Sequence, residues 1–139
     1  MARKGKAATR RAGDYLTGHL LIALPGMGDP RVAQSVVCLC KHAADGAMGL
    51  RVNRPIEGLG FDKLLKQLGL KPVPSQRQIR LVSGGPVEAG RGFVLHTDDW
   101  SAEGSLTFGE GLALTASVEI LSAIASGGGP RQGLLALGY

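Results

Sequence analysis

The amino-acid sequence predicts an α+β fold, in which short strands form a mixed or antiparallel sheet and two helices flank it. Two stretches repeat apolar residues with the spacing of an amphipathic helix, and the apolar runs between them are short and bounded by glycine or proline. Strands and helices do not alternate regularly along the chain, which disfavours a doubly wound parallel sheet. The 22 glycines among 139 residues favour many turns and disfavour a helical bundle. We therefore expect one domain over residues 14–139.

Residues 1–13 are predicted to form a flexible basic tail. They contain five cations and no acid, and these cations account for the whole net charge of +5. The five are Arg3, Lys4, Lys6, Arg10 and Arg11. A charged terminus is usually solvated, whereas a nucleic-acid-binding fold collects its cations on one face. The sequence thus predicts only weak nucleic-acid contacts, made through the tail.

The first predicted strand covers residues 16–24, an apolar run that ends before Pro25-Gly26 and that we expect to be buried. A β-hairpin follows. Its arms are residues 34–42 and 47–53, and Asp45-Gly46 forms the turn because glycine takes a positive φ without a Cβ clash. On a regular strand, Cys38, Cys40 and His42 would all point to one face.

Two helices are predicted from apolar residues that recur with the helical period. In the first, over residues 61–70, the apolar positions are Phe61, Leu64, Leu65 and Leu68, and Gly69 lies near the end. In the second, over residues 117–126, we expect Val118, Leu121 and Ala125 to form a buried stripe that Ile120 and Ile124 widen. Short apolar runs predict the remaining strands at residues 79–83, 93–96, 105–108, 112–114 and 134–137.

The composition predicts a soluble, cytoplasmic protein. No apolar run approaches the length of a membrane span, and the apolar run after Arg10-Arg11 is too short for a signal peptide and has no cleavage site after it. Two cysteines at two-residue spacing do not make a disulfide framework, so we expect reduced thiols.

Ten short motifs, in order along the chain, carry a family resemblance. They are GHLLIALP at residues 18–25, DP at 29–30, SVV at 35–37, CKH at 40–42, GAMG at 46–49, VNRP at 52–55, GGP at 84–86, RGFVLH at 91–96, TAS at 115–117 and LGY at 137–139. The chain from about Tyr15 onward resembles the YqgE/AlgH family of bacterial proteins.

The resemblance implies a cytosolic α+β protein whose bifurcated sheet curls into a pseudo-barrel. It also implies a transcriptional-regulator label, which stems from one member linked to alginate production, but no established catalytic residues. Members normally continue past the LGY motif with a Gly-x-Leu-Glu segment and a tryptophan-containing stretch. We therefore expect that the domain lacks its C-terminal part, and that apolar surface left uncovered leads to self-association or instability.

Cys40, His42 and His96 are the candidates for a thiol- or ligand-dependent activity. Lys41 and His42 would lower the pKa of a neighbouring thiol, whereas a free cysteine more often packs as a small apolar side chain. A metal site is not predicted, because structural zinc takes four ligands, usually from loops, and the strand bearing Cys38 supplies three.

A second candidate site is Gly84-Gly85-Pro86 with Arg91, which would form either a backbone nest for an anion or an ordinary turn between strands. No phosphate-loop motif is present. Asn53 and Arg54 end the hairpin. We expect Arg54 either to bind an anionic ligand or to form an ion pair with a carboxylate such as Glu88.

His96 is followed by Asp98 and Asp99, which resembles half of a catalytic pair. The nucleophile would then be Ser83 or Ser35, but neither lies in a G-x-S-x-G elbow, so no catalytic residues are predicted.

The predicted function is that of a binding or regulatory protein for an unknown ligand or partner, without a cofactor. The two helices lie nearly fifty residues apart and neither has a basic face, so no helix-turn-helix is expected. Any role in transcription is then indirect. The alternative is a thiol- or ligand-dependent enzyme or redox sensor centred on Cys40, His42 and His96.

Overall fold

The computed structural model of the chain describes residues 15–23, 34–70 and 79–139, so the predicted tail and its cations lie outside the described residues. The elements, in chain order, are β1 (Leu20–Ile22), β2 (Val36–Ala43), β3 (Gly46–Arg51), α1 (Phe61–Gln67), β4 (Arg80–Ser83), β5 (Gly92–Thr97), β6 (Leu106–Phe108), β7 (Leu112–Thr115), α2 (Val118–Ala125) and β8 (Gly133–Leu137).

The described strands form two sheets, and the α+β prediction is confirmed. One sheet is antiparallel, with the order β1-β2-β3. The other has the order β4-β8-β5-β7-β6 and is mixed, because β4 runs parallel to β8 while the remaining neighbours are antiparallel. Mixed sheets are common in α+β folds.

The two sheets meet along β4. The backbone N–H of Arg51 donates to Gly84 O at 2.8 Å, and the N–H of Ser83 donates to Arg54 O at 2.8 Å. Pro55 then forms an antiparallel bridge with Val82. The chain leaving β3 is therefore hydrogen-bonded to the edge of the second sheet, and the sheets diverge from this junction as a bifurcated structure without closing into a barrel.

The buried side chains form two clusters. The first lies between the helices and the five-stranded sheet, and it comprises Phe61, Leu64, Leu65, Ile79, Leu81, Val94, Ile120, Leu121, Ile124, Ala125 and Leu135. The second lies between the hairpin and the same sheet, and it comprises Cys38, Cys40, Leu50, Val82, Phe93, Leu114 and Ala136. Mostly aliphatic side chains fill both, as the low aromatic content requires.

The first helix is shorter than the predicted range of residues 61–70 and ends at Gln67, although Gly69 lies just past its end. Leu68 is the C-cap, and Gly69 follows with a φ of 78°, a left-handed conformation that a side chain would disfavour. The N–H groups of Gly69 and Leu70 donate to Lys66 O at 3.1 Å and Leu65 O at 2.8 Å, which satisfies carbonyls at the helix end. Neither helix of the described chain has the length and apolar character needed to cross a bilayer.

The prediction for the buried stripe of α2 is wrong at Val118, which is 49% exposed. The buried positions are Ile120, Leu121, Ile124 and Ala125. At 3.6 residues per turn, Val118 lies about 90° from the centre of that stripe, at its edge. It is also the first residue of the helix, where little of the core remains to cover it.

The prediction of a buried first strand is also wrong. The strand is only three residues long, and Leu20, Leu21 and Ile22 are 58%, 43% and 70% exposed. The physical reason is position, because β1 is at the edge of its sheet and, among the described strands, has β2 as its single neighbour. An apolar run predicts a strand but does not predict what covers its faces.

The predicted hairpin is confirmed, but β2 contains an irregularity. Leu39 pairs with Gly49 and Lys41 pairs with Met48, so Cys40 is the extra residue of a β-bulge. The bulge interrupts the alternation on which the prediction of a shared face rested. Cys38 and Cys40 are both buried in the second cluster, whereas His42 is half-buried and packs elsewhere.

Candidate functional site

An open cleft of about 520 Å³ lies between the tip of the hairpin and the five-stranded sheet. The hairpin contributes Lys41, Asp45, Gly46, Ala47 and Met48 to its lining. The second sheet and the segments next to it contribute Arg91, Phe93, Gly104, Leu106, Leu114, Ala116 and Tyr139. The cleft is thus built by residues that are far apart in sequence and are brought together by the packing of one sheet on the other.

Arg91 is held at this cleft by two neighbours. Its guanidinium lies 4.9 Å from the centre of the Phe93 ring and 3.8 Å from a carboxylate oxygen of Glu88. The Tyr139 hydroxyl donates to the same Glu88 oxygen at 3.1 Å, which raises the pKa of Tyr139. The cation, the phenol and the ring therefore keep a defined arrangement, although Arg91 itself remains half exposed.

The lining is mainly apolar and carries two cations. Met48, Phe93 and Leu114 supply apolar surface, while Lys41 and Arg91 supply the cations, beside the carboxylates of Asp45 in the lining and of Glu88 next to Arg91. Polar groups at the mouth of an apolar cleft orient a ligand, and the apolar wall supplies most of the burial. This arrangement suits a molecule with an apolar body and an acidic group.

Gly84 and Gly85 serve close packing of the backbone. A Cβ on Gly84 would overlap the carbonyl oxygen of Gly138, and one on Gly85 would overlap the backbone of Tyr139. The N–H of Gly84 donates to Leu137 O at 2.8 Å, so it is already engaged. Of the predicted anion nest, Arg91 is the member that lines the cleft, and the glycines instead allow the end of β8 to lie against them.

His96 lies outside the cleft lining, buried to 2% exposure in β5, and both of its ring nitrogens are hydrogen-bonded. Its Nδ1 is 2.8 Å from Thr97 O, and its Nε2 is 2.8 Å from Thr115 Oγ1. Thr115 Oγ1 is in turn 2.7 Å from Ser105 Oγ, which accepts from the N–H of Ala102 at 3.0 Å. The histidine therefore ends a chain of polar groups inside the sheet.

The direction of these hydrogen bonds follows from the carbonyl oxygen at the His96 end. A carbonyl oxygen can only accept, so His96 Nδ1 carries the hydrogen and donates to Thr97 O. In the neutral imidazole, Nε2 then accepts from the Thr115 hydroxyl, and Thr115 accepts from the Ser105 hydroxyl. Every donor and acceptor is satisfied in this arrangement, which is what a buried polar network requires to be stable.

The aspartates that follow His96 in the sequence do not pair with it, because its ring nitrogens contact Thr97 O and Thr115 Oγ1. Asp99 accepts from the Thr97 hydroxyl and from the N–H of Arg131 at 3.0 Å. The Thr97 hydrogen bond, with lesser contributions from Arg131, lowers the pKa of Asp99. Because Thr97 and Thr115 occupy both ring nitrogens, neither candidate nucleophile is bonded to the histidine. Ser83 Oγ accepts from Arg51 at 3.1 Å, and the buried Ser35 hydroxyl has no hydrogen-bond partner among the described residues.

The two cysteines and His42 do not form a common site either. Cys38 and Cys40 are free and buried, and the hydrogen bond between them raises the pKa of Cys40, as does burial. That hydrogen bond lowers the pKa of Cys38, against the effect of burial. His42 Nδ1 accepts from the N–H of Leu16 at 2.8 Å, and its ring packs edge-on against Tyr15 at 5.1 Å. His42 therefore holds the segment before β1 in place.

Asn53 has a structural role at the other end of the hairpin. Its side-chain oxygen accepts from the N–H of Val36 at 2.9 Å, and its side-chain nitrogen donates to Gln34 O at 2.9 Å. The amide therefore acts as one more rung of the β2–β3 ladder. Glu88, the carboxylate suggested for Arg54, interacts with Arg91 and Tyr139 instead. In residues 15–23, 34–70 and 79–139, no three histidine, cysteine or acidic side chains are grouped so that they could hold a metal ion.

Comparison with known proteins agrees with the fold. Residues 20–139 match the model of a protein family described as AlgH-like. The chain belongs to the AlgH-like family. A UPF0301 protein of Rhodospirillum rubrum is 53% identical over 125 residues, which cover 90% of this chain and 65% of that protein. A UPF0301 protein of Rhodopseudomonas palustris is 48% identical over 143 residues, which cover 97% of this chain and 66% of that protein.

Solved structures give the same result for this AlgH-like chain. The solution structure of the AlgH protein from Pseudomonas aeruginosa superposes with a TM-score of 0.74 at 44% identity, over 94% of this chain and 69% of that one. A crystal structure from Corynebacterium diphtheriae has a TM-score of 0.61 at 16% identity, over 87% and 63% of the two chains, and shares the fold alone. The chain spans about two thirds of the length of the relatives that it matches.

The sequence prediction missed several residues that shape this AlgH-like site. Lys41, Met48 and Tyr139 line the cleft, and Arg51 joins the two sheets. A signal for Arg51 was present in the sequence, because it is the one charged residue in the apolar arm at residues 47–52. A buried charge in a strand is rare without a partner. No comparable signal marks Lys41 or Met48, whose proximity to Arg91 depends on how the sheets pack.

Proposed function

We propose that this chain is a non-enzymatic binding module, whose cleft between the sheets takes a small molecule with an apolar body and an acidic group. The observation that carries the proposal is the placement of Lys41 and Arg91 beside the apolar wall of Met48, Phe93 and Leu114. The volume of about 520 Å³ supports it, since ligand sites of proteins usually measure about 300–1,000 Å³.

The chemistry of the other candidate residues supports binding over catalysis. Both nitrogens of His96 are engaged within the sheet, and the raised pKa of Cys40 keeps its thiol protonated. A nucleophilic cysteine needs the thiolate, and a general base needs a nitrogen free to take the substrate proton. The thiol-dependent alternative therefore receives no support from the arrangement of its residues.

We propose further that any influence on transcription is indirect and passes through the bound ligand or a protein partner. Among the described residues, α1 carries Lys63 and Lys66, and α2 carries no basic residue. A helix that enters the major groove needs cations for the phosphates and side chains that reach the bases. These helices do not offer such a face.

The proposal is tested by titrating the protein with decanoate, 3-phenylpropionate and the corresponding neutral alcohols, with amide chemical shifts as the readout. We expect the carboxylates to shift residues of the cleft and to bind at least about tenfold more tightly than the alcohols, which corresponds to one charge-assisted contact. The variants Arg91→Ala and Lys41→Ala should remove that preference. The control variant Lys63→Ala changes an exposed cation of α1, outside the cleft, and should retain it.

Two results would count against this function. Equal affinity for acids and alcohols would show that the cations do not recognise the ligand. Shifts that fall outside the cleft would show that another surface binds. The DNA alternative is examined with a salt series on the chain with and without residues 1–13, since affinity that is lost with the tail does not come from the fold.

A further inference from the structure

Among the described strands, none pairs with β1 on the side away from β2, so β1 is the edge of the three-stranded sheet. In the antiparallel ladder, Leu21 lies opposite Val37, and the flanking hydrogen bonds run from Leu39 N to His19 O at 3.0 Å and from Ala23 N to Ser35 O at 2.9 Å. Hydrogen-bonded positions alternate along such a ladder. The N–H and C=O groups of Leu20 and Ile22 therefore point outward, away from β2.

The side chains of β1 are apolar and largely exposed. Leu20 lies opposite the buried Cys38, and Ile22 lies opposite Val36, so both are on the face that packs against the core. They are nevertheless 58% and 70% exposed. The strand holds no charged residue and no proline, the devices that usually protect an edge strand from pairing.

These features specify what would cover the edge. The outward backbone groups require an extended segment that can continue the ladder, and the exposed side chains require apolar residues at alternate positions of that segment. A groove for a helix or a rigid small molecule would satisfy the side chains but leave the backbone unpaired. The occupant is therefore a strand.

We propose that β1 pairs with β1 of a second copy of this chain, antiparallel and two-fold symmetric about Leu21. In that register, Leu20 of one copy faces Ile22 of the other, and the two residues of each such pair exchange both of their N–H···O bonds. The pairing joins two three-stranded sheets into one continuous sheet. The side chains of Leu20 and Ile22 from both copies then cover one another on the core-facing side.

The outward hydrogen-bonding groups of β1 are complementary to those of a second, antiparallel β1. Its outward groups lie at the two positions flanking the central residue, so the same segment supplies donors and acceptors to its own symmetry mate. A three-residue edge is small, and interfaces that bury less than about 1,200 Å² belong to the weak, transient class. The dimer is therefore weak and depends on concentration.

The test is sedimentation equilibrium of the full chain from about 10 μM to about 1 mM, which spans the range of a weak interface. We expect a reversible monomer–dimer equilibrium. Ile22→Pro removes an outward N–H that the monomer does not use, while proline is tolerated at an open edge. It should weaken the dimer at least about tenfold. Ile22→Lys should do the same by placing a charge at the interface.

The matched control is Val118→Lys, which places the same charge on another exposed apolar residue, far from β1 in sequence and on a helix. It should leave the dissociation constant unchanged. Hydrogen exchange supplies a second readout, because the amides of Leu20 and Ile22 should gain protection as concentration rises while those of Val118 do not.

A chain that stays monomeric to about 1 mM would overturn the proposal. So would a dimer that Ile22→Pro leaves intact, since association would then come from apolar contact elsewhere. Open-ended oligomers would exclude the two-fold arrangement, because an isologous pairing of one edge closes at two copies.

Discussion

The guanidinium of Arg51 lies 3.0 Å from the backbone oxygen of Ser83, to which its Nε donates, and it thereby links the end of β3 to the end of β4. The side chain is only 8% exposed, and its Nη2 also donates to Ser83 Oγ at 3.1 Å. Burial lowers the pKa of Arg51, and the nearby charge of Arg54 lowers it further. The two sheets are therefore joined by a buried, hydrogen-bonded cation as well as by backbone contacts.

Arg51→Met should destabilise the fold. The substitution keeps the apolar stem but leaves the Ser83 oxygens without their donor, and hydrogen bonds from charged groups contribute about 1.5–3 kcal/mol. We expect a loss of about 2 kcal/mol in the free energy of unfolding, measured in urea. Arg80→Met, at an exposed position of β4, is the control and should change it by less than about 0.5 kcal/mol. Equal effects of the two substitutions would contradict the linking role.

Thr115→Val should disrupt the polar chain of His96. Valine has the same shape as threonine but leaves His96 Nε2 without a donor and Ser105 Oγ without an acceptor for its hydrogen. Leaving a buried polar group unpaired costs about 1–3 kcal/mol, and we expect a loss in that range. Thr107→Val is the control, because Thr107 is exposed on β6 and takes no part in the hydrogen bonds of His96. An unchanged free energy of unfolding in Thr115→Val would mean that these hydrogen bonds do not stabilise the fold.

Gly85→Ala should be much more damaging than Gly90→Ala. A Cβ at residue 85 overlaps the backbone of Tyr139, whereas no atom lies within 4 Å of a Cβ built at residue 90. Overpacking of a tight contact costs about 1–3 kcal/mol, and an open surface position costs less than about 0.5 kcal/mol. Thermal unfolding of both variants measures the difference. If Gly84 and Gly85 formed an anion nest instead of a close backbone contact, Gly85→Ala and Gly90→Ala would have similar effects on stability.

Asp99→Asn should destabilise the protein near neutral pH and have little effect in acid. The lowered pKa of Asp99 means that the fold favours the carboxylate over the carboxylic acid, chiefly through the Thr97 hydrogen bond. Such a group stabilises the fold above the ordinary aspartate pKa of about 3.9, and the contribution is lost as pH falls through the lowered value. Melting temperatures of wild type and variant should therefore converge once the pH falls below the lowered pKa of Asp99.

The thiols should react slowly with iodoacetamide at neutral pH in the folded protein. Cys38 and Cys40 are 2% and 8% exposed, and the raised pKa of Cys40 lowers its thiolate fraction. We expect rates at least about tenfold below that of glutathione, and full reaction only after unfolding in urea. A rate in the folded state that equals or exceeds the glutathione rate would restore the redox hypothesis.

Much of the secondary structure could be predicted because its signals are local. The period of Phe61, Leu64 and Leu65 predicted α1, and Asp45-Gly46 predicted the turn between β2 and β3. The candidate site could be predicted only in part. Of the proposed residues, Arg91 lines the cleft, whereas Gly84 and Gly85 pack against the chain end at Tyr139.

The errors have a common physical origin in long-range packing. A bulge at Cys40 depends on the register between two strands, and the residue pattern of β2 alone does not reveal it. His96 resembled a catalytic residue because aspartates follow it in the sequence. Its actual partner Thr115 is 19 residues away, on the neighbouring strand.

The α+β class could be predicted from the residue pattern alone, as could the order of the elements and the resemblance that the AlgH-like family match confirms. Those features rest on local periodicity, turn residues and motif order, which need no knowledge of neighbours. Three features emerge only when the chain is folded: Lys41 and Arg91 share a cleft, Arg51 joins two sheets, and β1 is the edge of its sheet among the described strands. Each depends on which strands become neighbours, and that is settled by the joint burial of apolar faces from distant parts of the chain.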